Sequence, residues 1–139
     1  MILTWPAELP RPERQTWALT PQEARRKRQP DAGPPGYRRR FTSVARLVTM
    51  SVLLTRNGRA IFDRFFHEDC AEGSLNFWMP DPTTDGWPML TSAGVPVLNG
   101  AGLPVLLSAR WLCAWGDQMP GEAVQGTEFR KTFGIVVLP

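Results

Sequence analysis

Histidine is nearly missing from this chain: His67 is the one imidazole in 139 residues. A structural zinc site ordinarily takes four Cys or His ligands, and a catalytic one takes three plus water. With Asp63 four residues before it and Cys70 three after, His67 outlines only a partial metal face on a helix. Nucleophilic chemistry is equally short of parts, because Cys70 or Cys113 would have only His67 as a base. Cys113 also lies in an apolar aromatic run that disfavours its thiolate. Asp63, Glu68, Asp69, Asp81 and Asp85 fall on an exposed helix face or in a turn, where acids are common and need no catalytic role. The phosphate-cradling pattern GxxxxGK[ST] and the dinucleotide pattern GxGxxG are both lacking. The chain therefore reads as a non-enzyme, with no catalytic, cofactor-binding or metal-binding residues and no small-molecule substrate.

Cysteine is sparse as well, and Cys70 and Cys113 read as free, core-type thiols, one near a helix end and one in a buried strand. Long apolar runs are missing: nothing approaches the ~20 residues needed to cross a bilayer. The opening Met1-Ile2-Leu3-Thr4-Trp5-Pro6 has neither the cationic start nor the apolar stretch of a signal peptide. The expectation is a protein made and assembled in a cytoplasm, with no membrane partner.

What is abundant is proline, with 14, beside 12 glycines, in a chain that is 42% apolar. That balance suits one loop-rich β domain with a single core. Charge is uneven: residues 1–40 carry +5 and residues 41–139 carry −2. Such polarity can attract nucleic acid or make two faces of a self-stacking subunit complementary. Seven prolines within residues 1–36 rule out a continuous helix or central strand there. The segment reads as an extended Pro/Arg-rich N-terminal arm, with a short helical turn over residues 21–28. Trp5, Leu9, Trp17 and Leu19 imply that it is pinned to its own domain or to a neighbour.

Residues 37–139 read as the single β-rich domain. Alternation over residues 48–55 predicts a half-buried strand. Ile61, Phe62, Phe65, Phe66 and Cys70 then recur with helical spacing, predicting an amphipathic helix at about 57–72, capped by Asn57 and closed by Gly73. Residues 74–79 predict a short strand stopped by Pro80. An inserted loop or hairpin region follows at 81–104, holding two copies of an eight-residue repeat, Ala93-Gly94-Val95-Pro96-Val97-Leu98 and Ala101-Gly102-Leu103-Pro104-Val105-Leu106. Two copies are too few for a solenoid, so a protruding hairpin or paired turns between strands are expected. Residues 105–115 and 128–138 carry the densest β signal and should pair antiparallel across a polar 116–126 connection. The fold class is thus mainly β, a small antiparallel sandwich or barrel with one helix.

Candidate functional residues are those suited to contact. Arg25, Arg26, Lys27, Arg28 and Arg38, Arg39, Arg40 form two cationic runs able to neutralise phosphates. Aromatic interleaving there is limited to Tyr37 and Phe41, fewer stacking platforms than single-strand binders usually carry. Trp5, Trp17 and Trp87 are assigned as interface anchors outside the core. Phe62, Phe65, Phe66, Trp78, Trp111, Phe129 and Phe133 are assigned mainly to the core.

The order Gly36-Tyr37-Arg38, long strand, Phe-rich helix, Phe77-Trp78-Met79-Pro80, Arg110-Trp111-Leu112-Cys113 and a last strand ending Ile135-Val136-Val137 resembles the minor tail protein M type of lambda-like phages. It is similar also to the N-terminal domain of distal tail proteins. The likeness covers residues 36–82 and 105–138, and its most specific element is the aromatic-Trp-x-Pro segment after the helix. It implies a virion structural protein without chemistry of its own. In that family a ring, commonly hexameric, joins the tail tube to the tip or baseplate complex around a DNA channel. Its partners would be copies of itself, the tail tube protein and the tip or hub proteins, with at most passive contact to DNA. The proline- and arginine-rich arm and the 85–104 insertion depart from that pattern. The alternative from the basic runs is a nucleic-acid-binding accessory or tail assembly factor.

Overall fold

A computed structural model describes residues 2–40 and 42–139. The fold is mainly β, with one mixed sheet of seven strands, a separate two-stranded ribbon and one helix, consistent with a β-sandwich. In chain order the strands are β1 Leu3–Thr4, β2 Ala18–Pro21, β3 Arg25–Arg28, β4 Gly36–Arg39, β5 Arg46–Leu54, β6 Phe77–Pro80, β7 Arg110–Trp115, β8 Gly121–Gln125 and β9 Glu128–Val137. The main sheet runs β1-β6-β7-β9-β5-β2, with β8 also on β9. β1 joins β6 in parallel; the other pairs are antiparallel.

The long pair β5 and β9 forms the spine, in register from Arg46 opposite Val137 to Leu54 opposite Phe129. Alternation dictates its inner face: Val48, Met50, Val52 and Leu54 on β5 and Phe133, Ile135 and Val137 on β9 are all buried. The predicted hairpin of residues 105–115 and 128–138 is realised differently. β7 and β8 lie along the same edge of β9, Cys113 opposite Val137 and Gln125 opposite Glu128, so they act as one interrupted strand. The reversal occurs at Gly126, with φ +61°, rather than over the whole polar connection.

The helix α1 (Arg56–Arg64) begins two residues earlier than an Asn57 cap would place it, because Thr55 Oγ1 accepts the Gly58 N–H at 3.2 Å. It continues into a π-helical turn, Phe65–Asp69, where Cys70 N–H donates to the Phe65 carbonyl at 2.8 Å. The wider turn lets Phe62, Phe65, Phe66 and Cys70 all face the sheet. Left-handed backbone starts at Ala71 (φ +50°) and Glu72 (φ +60°) before Gly73 at +82°. A Cβ on Gly73 would stand 2.8 Å from Phe66 Cε2, so glycine is also required for the ring to pack there.

The extended N-terminal segment is pinned to its own domain, one of the two options its tryptophans and leucines imply: β1 and β2 join the main sheet, and β3 pairs with β4 across the 36/37 boundary. Prolines are accommodated because they fall between strands or, like Pro21, at the end of an outer strand. Trp5 is no surface anchor; only 6% exposed, it packs its ring within 6.4 Å of Phe62, Phe65, Phe77, Trp115 and Phe133. Its backbone N–H donates to the Trp78 carbonyl at 2.7 Å, extending the β1–β6 pairing that carries the indole inward. The segment is latched again farther on. Arg130 donates to both Glu13 carboxylate oxygens at 2.8 and 3.1 Å, and Ser51 Oγ donates to Oε1 at 3.1 Å. These bonds, Arg130 foremost, hold the Glu13 carboxyl below its ordinary range.

Candidate interaction surfaces

Several residues that the sequence singles out for chemistry have partners within the chain. Asp63 accepts from Lys131 Nζ at 2.9 Å, His67 Nδ1 lies 2.7 Å from Glu72 Oε2, and Cys70 is buried. The drawn metal face of Asp63, His67 and Cys70 therefore does not converge on a point. Burial pushes the Cys113 thiol up to about 12 and raises that of Cys70. Asp81 accepts from Thr83 N–H and Oγ1 at 2.9 and 2.7 Å, and Asp85 Oδ1 accepts from Ala109 N–H at 2.8 Å, so both acids close turns. Lys131 interrupts the inner face of β9 at a cost that its surroundings offset: Asp63 and Glu122 hold its ammonium at 2.9 and 3.2 Å. Burial raises the Glu122 pKa, but the bonds from Lys131 and Arg59 outweigh it and the carboxyl stays below its ordinary range.

Two regions stand out from this body. The first is the ribbon of β3 and β4, every residue of which is exposed. The helical turn expected over residues 21–28 is instead a strand, because residues 36–39 supply its partner. The register sets Arg25 opposite Arg39, Arg26 opposite Arg38 and Lys27 opposite Tyr37. Alternation then places Arg26, Arg28 and Arg38 on one face. Arg25, Lys27, Tyr37 and Arg39 take the other, where Arg25 stacks 4.1 Å over Tyr37 and bonds to Glu23 at 2.7 Å. Arg25 draws the Glu23 carboxyl down to about 2. Like charges directly opposite one another weaken a strand pair, so the ribbon concentrates cations against local preference. Arg40 ties its backbone N–H to the Ala24 carbonyl at 2.6 Å at the ribbon's base. Phe41 lies outside the described residues.

The second is the inserted region, whose short extended pieces are joined by paired turns and antiparallel bridges. Gly86-Trp87-Pro88-Met89-Leu90 is a third copy of the repeat read at Gly94-Val95-Pro96-Val97-Leu98 and Gly102-Leu103-Pro104-Val105-Leu106. Three hydrogen bonds of 2.8 Å close a ring: Val97 N–H to Met89 O, Val105 N–H to Val97 O, and Met89 N–H to Val105 O. Three matching bridges, Pro88 with Leu106, Leu90 with Pro96 and Leu98 with Pro104, form its sides. Gly86, Gly94 and Gly102 turn the corners with φ of +80°, +80° and +77°. The product is a triangular plate with internal three-fold pseudosymmetry. Between residues 82 and 110 nothing is buried.

The remaining candidates divide. Trp87 is exposed at one corner of the triangle, where Arg14 lies 5.6 Å from its ring centroid. Trp17 is only partly buried and packs against the core. Between them runs a groove of about 360 Å³ lined by Pro12, Arg14, Trp17, Pro82 and Trp87. Among the expected core residues Trp78 and Phe129 are half-buried instead, covered by Arg110 at 4.9 Å and Arg59 at 4.4 Å. The first repeat copy was available in the spacing of Gly-x-Pro-x-Leu at eight residues, disguised by Trp87 and Met89.

Comparison with protein-family models, with curated proteins and with solved structures finds no match to this chain.

Proposed function

We propose that this chain is a structural subunit of a bacteriophage tail. In this reading copies assemble into a ring, hexameric in the family it resembles, at the distal end, joining the tail tube to the tip or baseplate complex around the DNA channel. It works by contact rather than by chemistry, in the virion tail. The observation that carries the reading is the pair of projections, a cationic ribbon and a charge-free apolar triangle, on a β-rich body. A closed ring needs two different patches on each subunit; the cationic ribbon offers one and the net-acidic remainder of the chain the other, which leaves the triangle free for a separate contact. The +5 charge of residues 1–40 against −2 for the rest gives a head-to-tail contact an electrostatic direction.

The test is a label fused after Pro139, followed by class averaging of labelled particles in electron micrographs. Density as a ring at the distal tail end is the expected result. A label missing from assembled particles, with the fusion shown to be assembly-competent, overturns it. The facing arginines of the ribbon favour one second reading, a nucleic-acid-binding accessory or assembly factor. That reading requires duplex affinity that falls steeply with salt, since each neutralised phosphate releases counterions.

A further inference from the structure

The triangular plate raises a physical question that the ring reading leaves open. Ordering each residue costs about 1–2 kcal/mol of backbone entropy, and natural domains offset that by burying apolar side chains. Residues 86–109 bury none in the single chain, yet they are rich in large apolar groups. Leu90, Leu98 and Leu106 are 57%, 58% and 59% exposed, the near-equality following from their equivalent places in the repeat. Strand alternation puts these leucines and Pro88, Pro96 and Pro104 on one side of the plate. Three leucines and three prolines leave on the order of 500 Å² of contiguous apolar surface, the size at which a patch on a monomer marks a contact site.

We propose that this proline–leucine face pairs with the same face of a second copy of the chain. Three observations select that occupant. Residues 86–109 contain no Asp, Glu, Lys, Arg or His, so two copies meet there without charge repulsion despite the net +3 of each chain. Two facing plates cover on the order of 1,000 Å², the floor for a specific though weak contact. Three-fold pseudosymmetry multiplies the ways to meet: two plates stacked on a common axis have three near-equivalent perpendicular two-folds, and each sets leucine and proline rows against their counterparts. The contact is isologous, unlike the head-to-tail contacts of a ring, and so it would join two subunits from different rings.

Sedimentation equilibrium of the whole chain, from about 1 µM to about 1 mM, tests it over the range where a contact of this size associates. The expected result is a reversible self-association that added salt does not weaken. Leu98→Lys raises its dissociation constant by about tenfold or more, a change of ~1.4 kcal/mol. Leu90→Lys and Leu106→Lys act to the same degree, since the three sites are equivalent, while Arg26→Gln on the ribbon leaves this contact unchanged. Circular dichroism checks that each variant is folded, and Leu98→Asn serves as a milder substitute should the lysine perturb the plate. A wild-type chain that stays monomeric throughout, or an association indifferent to all three leucine changes, overturns the proposal. A triple leucine variant that still forms rings but no longer pairs them separates this contact from the ring itself.

Discussion

The sheet-and-helix body and the triangular plate use the same apolar residue types in opposite ways. In the body, Trp5, Phe62, Phe65, Phe77, Trp115 and Phe133 form one continuous cluster in which Trp5 touches all the others. In the plate, Trp87, Met89, Leu90, Val95, Leu98, Leu103 and Leu106 all remain exposed, and order comes from backbone hydrogen bonds and proline stiffness instead. The difference teaches that apolar character alone does not locate a core. What decides is whether the backbone can bring a second apolar layer against the first. α1 supplies that layer for the sheet, and none of the described residues supplies it for the plate.

The largest contrast should appear between two tryptophans. Trp5→Ala empties the centre of the aromatic cluster and should lower unfolding free energy by about 3–5 kcal/mol in urea titrations. Trp87→Ala should cost about 1 kcal/mol or less, since its ring is exposed. Equal losses would break the comparison. Two left-handed glycines sharpen it next. Gly73→Ala meets both its φ of +82° and Phe66 at 2.8 Å, and should cost about 1–3 kcal/mol. Gly102→Ala, at φ +77° with nothing within 4 Å, carries only the backbone strain of about 1 kcal/mol.

A smaller effect is expected at the latch. The Glu13 pKa is lowered in the folded chain, so its contribution is present above the unfolded value near 4.3. It is lost as pH falls through the folded value. Glu13→Gln should therefore be less stable than wild type by about 1 kcal/mol at neutral pH, the usual scale for a partly exposed pair. The gap should shrink below about pH 4, and a constant gap across an acid titration would deny the latch its charge. The smallest effect belongs to the ribbon: Arg38→Glu sets an acid opposite Arg26 and should change global stability by no more than about 0.5 kcal/mol. Hydrogen exchange of the ribbon amides should slow if the opposed arginines are the destabilising element.

Much of the body was legible because burial there follows period. Alternation located β5 and β9, and the spacing of Phe62, Phe65, Phe66 and Cys70 located the helix. The π-helical turn is visible in hindsight as the five-residue step from Phe65 to Cys70. Trp5 was misplaced because a short parallel strand beside proline leaves no alternation to read, and only the distant pairing with β6 reveals its direction. The cationic runs were identified by composition, but their union as facing strands depends on residues 36–39 folding back onto 25–28. The plate was half legible: two repeat copies were plain, and the third differed at Trp87 and Met89 while keeping its glycine, proline and leucine.

The central claim is that this protein acts through its projections by assembling. Native mass spectrometry of three folded forms tests it most directly: wild type, a ribbon variant carrying Arg26→Gln, Arg28→Gln and Arg38→Gln, and a plate variant carrying Leu90→Lys, Leu98→Lys and Leu106→Lys. The account predicts a multi-subunit wild type and smaller species for at least the plate variant, with circular dichroism unchanged. A wild type that is only ever monomeric, or assemblies identical in all three forms, would contradict it.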